Sequence, residues 1–181
     1  APRGCPTVIT VYDMIHELFA DEMPVTANTA KLKRIAVDRA DAVICISENT
    51  KIDLMRLYGT PESKISIVHL GFDKFAVREK LIPDDMLGNP FLLYVGHRAG
   101  YKNFAGLLKS VATSKKLMSD FDVVAFGGAK FSSSELSLIK SLGFAENQVR
   151  HASGGDEMLG YLYNLAKAFV YPSVYEGFGI P

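Results

Sequence analysis

The chain contains no tryptophan and two cysteines in 181 residues, and its 20 basic side chains are matched by 20 acidic ones. Two thiols, Cys5 and Cys45, cannot build a disulfide framework. Cys45 sits inside the apolar run 42–46, where a reduced, buried thiol is expected, and that usage suits the cytosol. The cancelled charge leaves no global field to draw in nucleic acid or anionic lipid, so any anion site must be local. No apolar run approaches the roughly 18 residues that span a bilayer. The opening Ala-Pro-Arg-Gly-Cys-Pro lacks the length and apolar core of a signal peptide, and a strand pattern starts almost at once. GxGxxG and Walker A patterns are missing, Gly127-Gly128 being the nearest approach, which weakens a dehydrogenase-type reading. No DxD-type or His/Cys cluster is expected to hold a metal.

What is present is a core: 48% of residues are apolar and 22% charged, a soluble globular composition. Short β-rich runs at 7–12, 42–46, 65–69, 91–95, 122–126, 148–151 and 168–171 alternate with amphipathic stretches. Several are continuously apolar, as strands buried on both faces are. Between them, Ser47 is placed to cap a helix that Gly59 stops, and Asn103 to cap residues 104–117. Ser132 and Glu135 have capping-box spacing before a helix ended by Gly143, and Asp156 is placed to cap another. The alternation predicts α/β architecture with parallel sheets. Residues 71–90 carry Gly71, Pro83, Gly88 and Pro90 without a period, and read as a linker between two units.

In such sheets ligands sit at the carboxyl ends of strands. The loop after 91–95, Gly96-His97-Arg98-Ala99-Gly100-Tyr101-Lys102-Asn103, offers a permissive glycine, two cations and a helix start, which are the needs of a diphosphate. Solvated loop charges are an equally good account of Arg98 and Lys102 on spacing alone. After 168–171, Pro172-Ser173-Val174-Tyr175-Glu176-Gly177-Phe178-Gly179 suggests backbone amides facing a ligand, with Glu176 able to accept from sugar hydroxyls; taken alone, a surface carboxylate is the plainer reading.

These segments resemble, in order, signatures of the family 4 glycosyltransferases. Phe91-Leu92-Leu93-Tyr94-Val95-Gly96-His97-Arg98 with Lys102-Asn103 is similar to the "yVG-x-R…KN" signature. Leu162-Tyr163 through Tyr171-Pro172-Ser173-Val174-Tyr175-Glu176-Gly177-Phe178-Gly179-Ile180-Pro181 is similar to the "LY…PS-x-x-EGFG-x-P" block. Ala40-Asp41-Ala42-Val43-Ile44-Cys45-Ile46-Ser47-Glu48 is similar to "AD-x-I-x-x-x-SE", and Val68 through Asp73 stands where the family has "VxxNGxD".

The resemblance implies the GT-B arrangement of two Rossmann-like units with parallel sheets, both incomplete here as in an internal fragment. Residues 1–72 would be the later part of the acceptor-side unit, 73–89 a hinge and 90–181 the donor-binding unit. It implies retaining transfer of a hexose from a nucleoside-diphosphate sugar to a glycan or lipid-linked acceptor, as in surface-polysaccharide assembly, with no cofactor or metal. By the same resemblance Gly96, Arg98 and Lys102 hold the donor diphosphate, and Glu176, Gly177, Phe178 and Gly179 meet the sugar. Ser153, Gly154 and Asp156 lie near the base. Tyr12-Asp13 stands where relatives have His-Asp. Asp13 is thus a catalytic candidate beside Glu176, with capping of the next turn as its alternative, while His16 either turns inward or is exposed. His69 and His97 are read as strand-end packing and loop polarity. The basic segment 31–39 permits peripheral contact at the inner membrane face, although a solvated helix face is the preferred reading. The competing class is a non-catalytic nucleotide- or partner-binding module on the same scaffold.

Overall fold

In a computed structural model, which describes residues 4–22, 27–72, 88–98 and 100–179, the chain is α/β with two parallel sheets. The described residues form two compact units. One holds those up to Phe72 together with those from Tyr175 onward; the other holds those between. Most of the linker 73–89 lies outside the described residues.

The first unit carries β1 (Val8–Val11), β2 (Ala42–Cys45) and β3 (Ile65–Ile67), in that spatial order. Val11 pairs with Cys45 and Cys45 with Ile67. Its helices are α1 (Ile15–Leu18), α2 (Ala27–Arg39) and α3 (Glu48–Tyr58). Val11, Met14, Val37, Val43, Cys45 and Leu54 form its core. Burial pushes the Cys45 thiol up to about 11, so it packs as a small inert hydrophobe. Ser47 caps α3, accepting from Thr50 N at 3.0 Å. Gly59 ends it at φ 68°, a left-handed turn that glycine adopts without a Cβ penalty.

The second unit holds β4 (Phe91–Val95), β5 (Asp122–Phe126), β6 (Val149–Ala152) and β7 (Ala168–Phe169), all parallel, in the order β6-β5-β4-β7. Its helices are α4 (Phe104–Thr113), α5 (Lys115–Asp120), α6 (Ser133–Ser141) and α7 (Asp156–Leu165). Alternate residues of β4 feed different clusters. Leu92 and Tyr94 pack with Leu108 and Val111, whereas Phe91, Leu93 and Val95 pack with Leu159 and Leu162. A strand covered on both faces has no wet side, which is why 91–95 and 123–126 read as unbroken apolar runs.

Three local expectations change. The helix expected over 104–117 is two helices. Ser114 is extended (φ −103°, ψ 108°) and its Oγ accepts from Leu117 N, starting α5 afresh. Asn103 makes no side-chain cap; it sits left-handed at φ 55°, a region asparagine tolerates. Asp156 is the first residue of α7 rather than its cap, which falls to Gly155; its carboxylate serves the positive helix end instead. The capping box of Ser132 and Glu135 is present as expected. Among the described residues no helix is long and apolar enough to cross a membrane.

Candidate functional site

In the second unit, the loop after β4 begins at Gly96, whose φ of 120° is open only to glycine and whose amide donates to Phe126 O at 2.9 Å. Beneath it, the Tyr94 ring is 1% exposed and its hydroxyl donates to His97 O at 2.5 Å. A buried aromatic thus carries a polar tip that props the loop. Asn103 Nδ2 donates to Pro172 O at 3.1 Å and Val174 N to Tyr101 O at 2.8 Å. These two bonds tie the loop ending at Asn103 to the loop after β7. A methyl at Gly106 would overlap the Asn103 carboxamide, so the bare glycine leaves that side chain room to reach across. With Asn103 used in this way, the first-turn amides of α4 have no side-chain cap and remain a positive terminus. Lys102 stands there, its ammonium 5.5 Å from the Tyr101 ring centroid and 5.6 Å from that of Tyr171.

Arg98 is placed differently. Its side chain is 6% exposed and ion-paired with Glu135 at 2.7 Å. Nη1 donates to Gly127 O at 3.0 Å, and Nη2 to Ala129 O at 2.5 Å and Lys130 O at 3.3 Å. The guanidinium also lies 4.9 Å from the Phe131 ring. All three nitrogens donate within the unit, so Arg98 holds the glycine turn after β5 against the loop after β4. Burial alone would raise the Glu135 carboxyl, but Arg98 and Ser132 outweigh it and hold the group below its ordinary value. Beside this pair is a cavity of about 410 Å³ lined in part by His97, Gly128, Lys130 and Ser132. His97 thus lines a cavity where the sequence suggested only loop polarity.

Ser153, Gly154 and Gly155 form the exposed loop after β6. A Cβ on Gly154 would lie 2.9 Å from that of Met158, so the loop presses on the first turn of α7. Asp120-Phe121-Asp122 has the spacing of an acidic metal pair, contrary to the expectation of no DxD-type cluster. Asp122 is ion-paired with Arg150 at 2.9 Å, and Asp120 accepts from Ser119 Oγ at 2.5 Å. Among the described residues no group of three or more His, Cys, Asp or Glu side chains could hold a metal ion.

In the first unit, Asp13 accepts from Ile15 N at 3.0 Å, which is the capping alternative, and its carbonyl accepts from Lys33 Nζ at 2.9 Å. Lys33 is also paired with Glu17 at 2.8 Å. His16 is half-buried with Nδ1 turned inward, hydrogen-bonded to none of the described residues. The Tyr12 side chain is 57% exposed. Glu176, Gly177, Phe178 and Gly179 cluster with this unit, whereas Gly96, Arg98 and Lys102 cluster with the other. A methyl on Gly177 would penetrate the Tyr12 carbonyl oxygen and lie 3.0 Å from Asp13 Cβ. Gly177 is therefore required by space, which the sequence could not show. The His69 ring lies 5.7 Å from that of Phe178, tilted by 57°.

Known proteins match in two consecutive stretches. Residues 78–181 match the glycosyl transferases group 1 family, and residues 1–74 match Glycosyltransferase Family 4. The chain is 26% identical over 155 residues to O-antigen chain mannosyltransferase B of Escherichia coli, covering 81% of this chain and 41% of that one. It is 26% identical over 175 residues to O-antigen chain mannosyltransferase RfbU of Salmonella typhimurium, covering 96% and 47%. It therefore spans about half the length of the curated relatives it matches. The solved structure of Anabaena Alr3699/HepE in complex with UDP and glucose matches with a TM-score of 0.71 at 20% identity, over 96% of this chain and 48% of that one. That likeness is one of fold, and it agrees with the parallel α/β sheets described above. With both stretches of sequence matched in order, the chain belongs to the group 1 glycosyltransferases, with a family 4 domain at its start and the GT-B fold.

Proposed function

We propose that the full-length protein transfers a hexose from a nucleoside-diphosphate sugar to a glycan or lipid-linked acceptor, with retention at the anomeric carbon. The observation that supports this most is Lys102 beside the uncapped amino end of α4, in a loop tied by Asn103 and Val174 to the loop after β7. A fixed ammonium and helix amides suit a diphosphate whose charge grows as it departs. Arg98 supports this loop from below through Glu135 and the carbonyls after β5. Ser153, Gly154 and Asp156 are assigned to the base edge, and Glu176 with Gly177, Phe178 and Gly179 to the sugar. The relatives named mannosyltransferases support a hexose, and a structural neighbour bound to UDP and glucose supports this donor class.

In the reaction the anomeric C–O bond to phosphate breaks and its electron pair leaves with the diphosphate. The acceptor hydroxyl adds from the same face and its proton passes to the leaving oxygen. Cations and amides that bind the departing charge more tightly than the ground state lower the barrier. Glu176 orients sugar hydroxyls, and Asp13 sets the Tyr12 turn by holding Ile15 N. Positive charge comes from the chain itself, so chelator treatment leaves turnover unchanged. The test is UDP and GDP titration of the full-length protein and its Lys102→Ala variant. Affinity falls at least tenfold, about the loss of one charge-assisted hydrogen bond; equal affinity rejects the diphosphate assignment. A non-catalytic module is the second reading, favoured by Asp13 being spent on a backbone amide. It is chosen if nucleotide binds and no sugar donor turns over with any acceptor.

A further inference from the structure

The first turn of α3 directs three polar side chains at two consecutive carbonyls from the far end of the sequence. Asn49 Nδ2 donates to Glu176 O at 3.2 Å and Thr50 Oγ1 to Gly177 O at 3.2 Å, and Ser47 Oγ donates to the same Gly177 oxygen. Thr50 is fully buried and also reaches Tyr12 O at 3.3 Å. One turn on, Asp53 is 7% exposed and hydrogen-bonded to the Tyr175 hydroxyl, to which Met14 N donates at 3.4 Å. The Tyr175 ring rests 6.1 Å from that of Phe19. Behind Gly177, the Tyr12 carbonyl leaves no space for a side chain. Glu176 is therefore clamped at both flanks and at its own carbonyl by residues of the first unit.

We infer that Ser47, Thr50 and Asp53 are positioning residues that aim Glu176, so the carboxylate is directed by α3 rather than by β7, the strand it follows. This rests on the reading that Glu176 meets the donor sugar. Fixing the backbone on both sides of a residue fixes its Cα–Cβ direction. A misplacement of about 1 Å in such a group costs up to roughly 100-fold in rate.

Ser47 allows the claim to be separated from helix stability. Its hydroxyl has one proton to give and lone pairs to receive; it receives Thr50 N as the cap, and Gly177 O and Thr50 Oγ1 (3.1 Å) are both within reach of its proton. Ser47→Asp keeps the cap and loses the donor, whereas Ser47→Thr keeps both. In the full-length protein, Ser47→Asp lowers kcat roughly 10- to 100-fold, leaves donor KM within about threefold, and speeds hydrogen exchange across residues 175–179. Ser47→Thr restores kcat and slow exchange. Equal kcat in the two variants, or equal exchange, overturns the inference while leaving the transferase reading intact. If the wild-type protein turns over no nucleotide sugar, that reading fails instead, and the exchange comparison alone decides whether α3 holds the segment. Thr50→Val gives the same two readouts should Ser47→Asp not fold.

Discussion

The two units solve the same packing problem with unequal cover. In the second, β4 and β5 are buried at every residue and each face of the sheet meets its own apolar cluster. In the first, one cluster serves three strands, and Val8 on β1 is 59% exposed, with Leu32 and Ile35 of α2 at 63% and 38%. A parallel sheet is stable when both faces are covered, and among the described residues the second unit has the deeper core. The first unit also carries polar ties, among them Lys33 to Glu17 and Tyr58 to both Glu17 and Ala30 O.

Truncations at matched strand positions break this comparison most sharply. Leu93→Ala, at a site with no exposed surface, costs about 3 kcal/mol or more. Ile9→Ala, only partly buried, costs about 1.5 kcal/mol. Urea unfolding measures both, and equal losses would refute the unequal cores. The next effect divides the two cations of one loop. Arg98→Lys leaves carbonyls and Glu135 underpaired and costs about 2 kcal/mol of stability, with nucleotide affinity nearly kept. Lys102→Ala does the reverse, losing affinity with little change in melting temperature. The smallest effect is in pH. Glu135 has a folded value lowered from 4.5, so the stability it contributes is complete above that ordinary value. It is lost as pH falls through the lowered one. Melting temperatures recorded downward from pH 6 show this drop, and Glu135→Gln flattens it.

Much of this was legible in the chain because it depends on local pattern. β4 and β5 fall where the β-rich runs 91–95 and 122–126 placed them, and Ser47 and Ser132 cap as their spacing implied. Ser114 was missed because periodicity continues across it, while the hydroxyl that restarts the helix leaves no mark in an apolar count. Asn103 misled for a different reason. Its partner is a carbonyl 69 positions away, so a residue type suited to capping was used to join two loops. The same limit applies to Arg98, whose surroundings depend on Glu135, 37 positions on. Placement of residues 175–179 with the first unit depends on Ser47 and Thr50, about 130 positions earlier, and no window of sequence holds both.

The contact behind Gly177 bears on how this protein can drift under mutation. The obstacle there is the main-chain oxygen of residue 12, and every amino acid supplies that atom. No replacement of Tyr12 can therefore make room for a larger residue at 177. The Tyr12 side chain, which is exposed, takes no part in that contact. Position 177 has no second-site rescue short of moving the backbone.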